Sequence, residues 1–297
     1  MKLLNNISLF LVVVFLVSCE KNEIQYMTTA ASNMAEFQLH NFVPEFVADS
    51  NNIYKVEING ELYANDLAPL KNYNAIPSSS VGKFYNANLG ANNIKLYKHV
   101  YDKAAKKLTT DWKLVYDQQV TLALGKQNIF VHDFKKPPVV FDNGYPYISN
   151  VTEKTDSTAW IKFYNLLYEK MDVPTTLKLQ YQYQYPVKYD EKGTVILKSE
   201  WLNVGKPVSF GETTGWIPVV VNKSVLISAG TARLDYRIKV IDETGTDIGE
   251  LKILNSKNVY VNYSDYWNAN IGRRYHHTIS GMRADKPNCA VRVFTAL

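Results

Sequence analysis

The chain has 297 residues, a formal net charge of +5, 13% aromatic residues and two cysteines. That length accommodates two ordinary domains. No basic run is longer than Lys106-Lys107 or Lys135-Lys136, which argues against nucleic acid as a partner, since such binding uses a clustered basic face.

The first element is the leader, Met1 to Glu20. Lys2 gives a positive start, and Leu9 to Val17 is an unbroken apolar run. Nine residues are too few to span a hydrocarbon layer, which needs about 20 in a helix. The stretch therefore reads as a signal peptide over residues 1–18. Its ending, Leu16-Val17-Ser18-Cys19, resembles the bacterial lipobox. The resemblance implies lipidation of Cys19, cleavage before it, and a chain held on its membrane by several acyl groups. Two or more such chains anchor stably where one does not. Glu20-Lys21-Asn22-Glu23 resembles the acidic signal that displays Bacteroidetes lipoproteins on the outer face of the outer membrane. Lipidation would leave Cys289 as the one thiol, so no intrachain disulfide or cysteine-rich metal set is available. The alternation of Cys289-Ala-Val-Arg-Val-Phe predicts a buried strand thiol acting as a small hydrophobe.

Residues 19–34 lack periodicity and read as a tether. From Ala35 the signal is β. Phe37 and Leu39 alternate with polar positions, and Tyr54 to Tyr63 carries Asn59-Gly60 between alternating apolar residues, a strong hairpin signal because both turn positions take positive φ. Further strands are expected over 81–87, 93–101, 112–124, 127–134 and 138–141, with Asp102 to Thr110 as a charged hairpin tip. Pro137-Pro138 suits an edge or terminal strand.

Turn formers crowd Asp142 to Ser157, which places a boundary near residue 150 between domains 35–150 and 151–297. The second part opens Ala159-Trp-Ile-Lys-Phe-Tyr-Asn-Leu, echoing Ala35-Glu-Phe-Gln-Leu-His-Asn-Phe. Both parts close with a strand, a short basic turn containing proline, and an apolar strand ending in Phe. The order of these matches predicts a tandem repeat. Within the second part Leu177, Leu179, Tyr181, Tyr183 and Tyr185 follow a strict period of two and share a face. More strands are expected over 195–197, 217–221, 225–228, 232–241, 248–254, 258–263 and 275–280.

Many short strands with turns between them predict an all-β chain of two tandem β-sandwiches. With Cys19 and its context, the two openings and the closing strands, the chain resembles Bacteroidetes cell-envelope lipoproteins of a domain-of-unknown-function type. That resemblance implies Ig-like or transthyretin-like modules and a binding or assembly role at the envelope. It supplies no catalytic motif.

The residues carry no phosphate-cradling glycine loop, nucleophile elbow or His-Glu-x-x-His metal helix. His276 and His277 are neighbours in a strand, so they point to opposite faces and make poor joint ligands; a strand end near the surface is their expected place. No metal or cofactor is implied, and no acid pair stands out for glycoside hydrolysis, so the expectation is a non-catalytic protein. Tyr263, Tyr266, Trp267 and Asn268 are the candidate ligand-binding residues. Flat rings beside amides and carboxylates suit sugars, and Tyr and Trp also suit protein partners. The competing reading has these rings plugging one end of a sandwich, with Trp201 and Trp216 at core or rim. The leading function is therefore glycan or nutrient capture by a protein held on the membrane at Cys19. The alternative is a fimbria-like or envelope-assembly module that acts by strand pairing.

Overall fold

The structure is a computed structural model that describes residues 34–75, 84–144, 157–224, 231–286 and 289–296. The leader, Cys19 and nearly all of the tether lie outside the described residues, as do the expected strand at 225–228 and the core of the boundary near residue 150. Residues 33–297 form one compact unit. The described chain is all-β, built from β-sandwich layers.

The first half contributes β1 (Met34–Asn41), β2 (Lys55–Ile58), β3 (Glu61–Ala64), β4 (Asn74–Ala75) and β5 (Tyr85–Asn88). It continues with β6 (Gly90–Asp102), β7 (Lys107–Leu122), β8 (Gly125–Val131) and β9 (Val139–Asp142). One sheet runs β4-β1-β8-β9 with β5 also on β1, and the other runs β3-β2-β6-β7. Asn59 and Gly60 have φ of 53° and 86°, the two left-handed positions that a two-residue hairpin turn requires. The β6–β7 hairpin has a tip of residues 103–106, shorter than the sequence suggests. Asp102 caps it by accepting from the N–H groups of Ala104 and Ala105 at 2.8 and 3.0 Å, so Lys107 to Thr110 already belong to β7.

The second half contributes β10 (Thr158–Lys170), β11 (Val173–Pro174), β12 (Lys178–Gln184), β13 (Pro186–Tyr189), β14 (Val195–Lys198), β15 (Leu202–Asn203) and β16 (Ile217–Val220). Then come β17 (Thr231–Ile241), β18 (Asp247–Glu250), β19 (Lys252–Leu254), β20 (Tyr260–Asn262), β21 (Ser264–Asn270), β22 (Arg274–Met282) and β23 (Ala290–Thr295). The sheets are β11-β10-β22-β23 with β16 on β10, and β15-β12-β17-β18 with β21 on β17.

The two halves share one wiring. In each, the opening strand pairs in parallel with the penultimate strand, β1 with β8 and β10 with β22. Each penultimate strand then returns antiparallel as the last, β9 or β23. The second sheets also correspond, β3-β2-β6-β7 matching β15-β12-β17-β18. The repeated asparagines serve one purpose: Asn41 accepts the N–H of Val43 and Asn165 that of Leu167, at 3.3 and 3.1 Å. The second half adds the β13–β14 hairpin, the β19–β20 hairpin and β21. Where β7 alone covers β6, β18 and β21 together cover β17.

Each half has its own core. Phe37, Leu39, Ile58 and Leu96 belong to the first, and Phe163, Tyr181, Leu234 and Trp267 to the second. The strict alternation from Leu179 to Tyr183 does point inward, with Leu177 and Tyr185 packed at its ends. A third cluster joins the halves: Phe42 and Phe130 pack with Tyr164 and Leu166, flanked by Phe141 and Phe294. The opening strands are therefore covered on both faces, one by their own core and one by the other half.

Candidate functional site

Strand alternation divides the residues singled out in the sequence. On β21, Trp267 and Ala269 point into the second core, while Tyr266 and Asn268 point outward. Tyr263, just before β21, is also buried. Its hydroxyl accepts the N–H of Val291 at 2.7 Å and lies 3.4 Å from that of Tyr236. Trp267 meets His277 edge-on, ring centroids 4.7 Å apart. Of the four candidates, Tyr266 and Asn268 face outward, and two hold the core together.

The outward face gathers partners that are distant in sequence. Tyr266 lies opposite Asp235 on β17, and Asp235 opposite Gln184 on β12. The β12–β15 register, with Tyr183 opposite Leu202, carries this row to Trp201. The row thus reads Tyr266, Asp235, Gln184, Trp201. Three strand spacings separate its ends, about 14 Å. The next row reads Ser264, Arg237, Gln182, Asn203. A depression of about 410 Å³ lies along the first row, with Trp201 and Tyr266 at its ends and Lys198 and Arg233 beside Asp235.

The charges on this face are tied to one another. Lys198 and Arg233 both grip Asp235, the latter through Nε at 3.0 Å. Burial works against the charged carboxylate, but the hydrogen bonds from Lys198 and Arg233 outweigh it and hold the Asp235 carboxyl below its ordinary range. Arg237 donates to Gln182 and Glu250, each at 2.9 Å, and Gln182 donates to Asn203 at 2.8 Å. Each outward ring carries a guanidinium: Arg233 is 3.7 Å from the Tyr266 centroid and Arg237 is 4.4 Å from that of Trp201. Such contacts contribute about 0.5–1 kcal/mol at exposed sites. The result is a polar plane, pre-set by its own ion pairs, with a ring at each end.

The histidines form the second polar centre, and here the structure corrects the sequence reading. His276 and His277 do point to opposite faces, but both are fully buried and far from any surface. The reason is that β22 is paired on both edges and covered on both faces. His277 Nδ1 lies 2.9 Å from the Tyr181 hydroxyl, inside the core. His276 Nδ1 lies 2.7 Å from the Tyr164 hydroxyl at the junction, and its Nε2 lies 3.4 Å from both Asn128 and Asn143. Asn128 also meets His40 Nε2 at 3.2 Å. By register Asn128 and His276 occupy equivalent positions, beside Gln38 and Lys162, so the repeat meets itself there. Burial pushes His40 down to about 4 against the pull of Asn128, and His277 down to about 3. It holds His276 well below its ordinary value, with the Lys162 charge adding to the effect.

A cleft of about 290 Å³ opens near the junction, lined by Glu45, Asp133 and Asp172 among others. Each of these acids already holds a lysine: Lys98 at 2.6 Å, Lys136 at 3.2 Å and Lys135 at 2.5 Å. Among the described residues no group of three or more His, Cys, Asp or Glu is placed to hold a metal ion. Cys289 is buried in the second core, and burial pushes its thiol up to about 12.

No protein-family model matches the chain, and no curated protein matches it. Among solved structures, it is similar to a Bacteroides fragilis protein assigned provisionally to cell adhesion, at 9% identity and a TM-score of 0.26. The match covers 85% of this chain and 86% of that one. A likeness at that TM-score transfers neither fold nor role.

Proposed function

We propose that this chain is a lipid-anchored, surface-facing protein of the bacterial outer membrane that binds a neutral glycan without transforming it. The anchor rests on Leu16-Val17-Ser18-Cys19. The binding role rests on one observation, the row Tyr266, Asp235, Gln184, Trp201. Two rings carried by backbone positions about 14 Å apart, with amide and carboxylate groups between them, match a short oligosaccharide. Its ring faces would stack at the ends while its hydroxyls bond to the middle. The three cations beside the row are engaged by Asp235 and Glu250, which favours a neutral sugar over an acidic one. A protein partner fits less well. Protein hot spots gather aromatic anchors at a desolvated centre, whereas here the rings lie at the margins and the centre is charged.

The test is a glycan array probed with the native protein, followed by titration of each hit. Binding of neutral oligosaccharides is expected, with a shift in tryptophan fluorescence. Tyr266→Ala and Trp201→Ala should each weaken it about tenfold, at the lower end of ring-stacking contributions of about 1–3 kcal/mol per contact. An array without hits, or affinity unchanged in both variants, refutes the reading. Mass spectrometry of the native product tests the anchor separately: an unmodified thiol at Cys19 removes it.

A further inference from the structure

The cleft near the junction is a second place for a ligand, and nothing in the glycan reading bears on it. It holds about 290 Å³ and takes its walls from both halves. Pro44 and Phe134 from the first half and Met171 from the second supply apolar surface. His132 also lines it and is only 4% exposed. The His132 ring is fixed by the Tyr168 hydroxyl, 2.8 Å from Nδ1, and by Phe210 packed edge-on at 5.4 Å. Its Nε2 makes no hydrogen bond among the described residues, although polar atoms on side chains so deeply buried ordinarily have a partner. Burial pushes His132 down to about 4 against the pull of the Asp133 charge, so the ring is neutral at pH 7. Donation from Nδ1 to Tyr168 then leaves Nε2 as an acceptor.

The charges around the cleft are oriented. Glu45 and Asp133 line it, whereas Lys98 and Lys136, which hold them, do not. Both pairs thus turn a carboxylate toward the cleft and an ammonium away from it. Asp172 adds a third carboxylate, and Lys135 is the one cation in the lining. Lys135 and Asp172 pair at 2.5 Å with their side chains 74% and 51% exposed, and a pair so open to water is worth little. We propose that the cleft binds a primary ammonium on a short apolar stem, the chemistry shared by a lysine side chain and a free alkylamine.

The stem lies against Pro44, Phe134 and Met171, and the ammonium donates to His132 Nε2 within the field of the three carboxylates. The chain already uses these same ring-and-acid sets to hold its own lysines from behind the cleft. Lys98 sits 4.8 Å from the Phe134 centroid and 2.6 Å from Glu45. Lys136 sits 6.0 Å from the Tyr168 centroid and 3.2 Å from Asp133. Rings and carboxylates both attract a cation. An anion would meet three carboxylates, and a purely apolar ligand would strip water from His132 and the acids without replacing it. Lys135 is the one like charge the ligand meets in the lining, so its removal should help binding.

Methionine-methyl NMR on the purified full chain tests this. Met171 lines the cleft, while Met34 and Met282 lie outside it and serve as controls. Pentylammonium, pentanol and pentanoate share a stem and differ in head group. Pentylammonium should shift the Met171 signal saturably, with a Kd of about 1 mM, and the other two should leave it in place at the same concentrations. Lys135→Met should tighten binding about two- to fivefold and Asp172→Asn should weaken it by a similar factor, the range of an exposed charge pair. Both positions are exposed, asparagine accepts the φ of 62° at position 172, and circular dichroism verifies the fold. Nα-acetyl-lysine methylamide and cadaverine separate the sources: tighter binding of the first assigns the cleft to a lysine on a protein, and of the second to a free amine. No saturable shift, an equal response to pentanol or pentanoate, or weaker binding in Lys135→Met overturns the proposal.

Discussion

The junction between the halves and the outward face of β12, β17 and β21 use the same kinds of side chain, rings beside amides and hydroxyls. They differ in how they treat charge. At the junction His40 and His276 are fully buried and held neutral, and their partners are asparagines and a tyrosine. On the open face Lys198, Arg233 and Arg237 are paired with Asp235 and Glu250. The difference follows from the solvent. Removing an unpaired charge from water is costly, so a closed surface built from these residues must neutralise its titratable groups. An open one can keep them and pair them. One surface holds the molecule together, and the other keeps its paired charges in contact with water.

The sharpest way to break this comparison is to empty the junction. Phe130 stacks on His40 at 4.7 Å and packs near Tyr164 and Phe294. Phe130→Ala should cost about 3–5 kcal/mol of stability, read by chemical denaturation. A loss no greater than that of a surface variant would mean that the junction is not a core.

The next effect is a pH dependence. His40 titrates at about 4 in the folded chain against 6.5 when unfolded. Its contribution is therefore fully present above pH 6.5 and is lost as pH falls from there through about 4. That shift is worth about 3 kcal/mol, and the other buried histidines act in the same direction. Melting curves between pH 7 and 4 should show this steep loss. His40→Gln should be less stable at pH 7 but should flatten the slope by its share; a slope identical to the parent's would remove His40 from the account.

The smallest effect lies on the open face. Lys198→Ala removes an ion pair with Asp235 at the surface, which is worth at most about 1 kcal/mol. Its melting temperature should move by a degree or two. A loss comparable to that of Phe130→Ala would mean that the face is structural.

Much of the fold was legible because its signals are local. Asn59-Gly60 demands a two-residue turn, and Leu179 to Tyr183 alternate because one face meets a core. The openings at Ala35 and Ala159 announce the shared wiring. Other features depend on what packs from outside. Gln38, His40 and Lys162 look like outward polar positions in an alternating strand, yet the second sheet-to-sheet contact buries them. β21 is rich in Asn, Asp and Ser, residues poor in strand propensity, and its pairing with β17 overrides that preference. The cluster from Tyr263 to Asn268 read as one patch, but strand parity sends Trp267 inward and Tyr266 outward. Trp201 could not be matched to Tyr266 from sequence, because the two meet only through the register of four strands.

The parallel pairing of each opening strand with a penultimate one sets the order in which the molecule can be completed during synthesis. Trp160 waits for Arg274, and Ala35 waits for Gly125. The leading half can close its central sheet before the trailing half has left the ribosome. The trailing half has its longest strand unclosed until β22 is made, and contacts so distant along the chain form slowly. A nascent chain ending short of Arg274 leaves that edge of β10 open to whatever reaches it first.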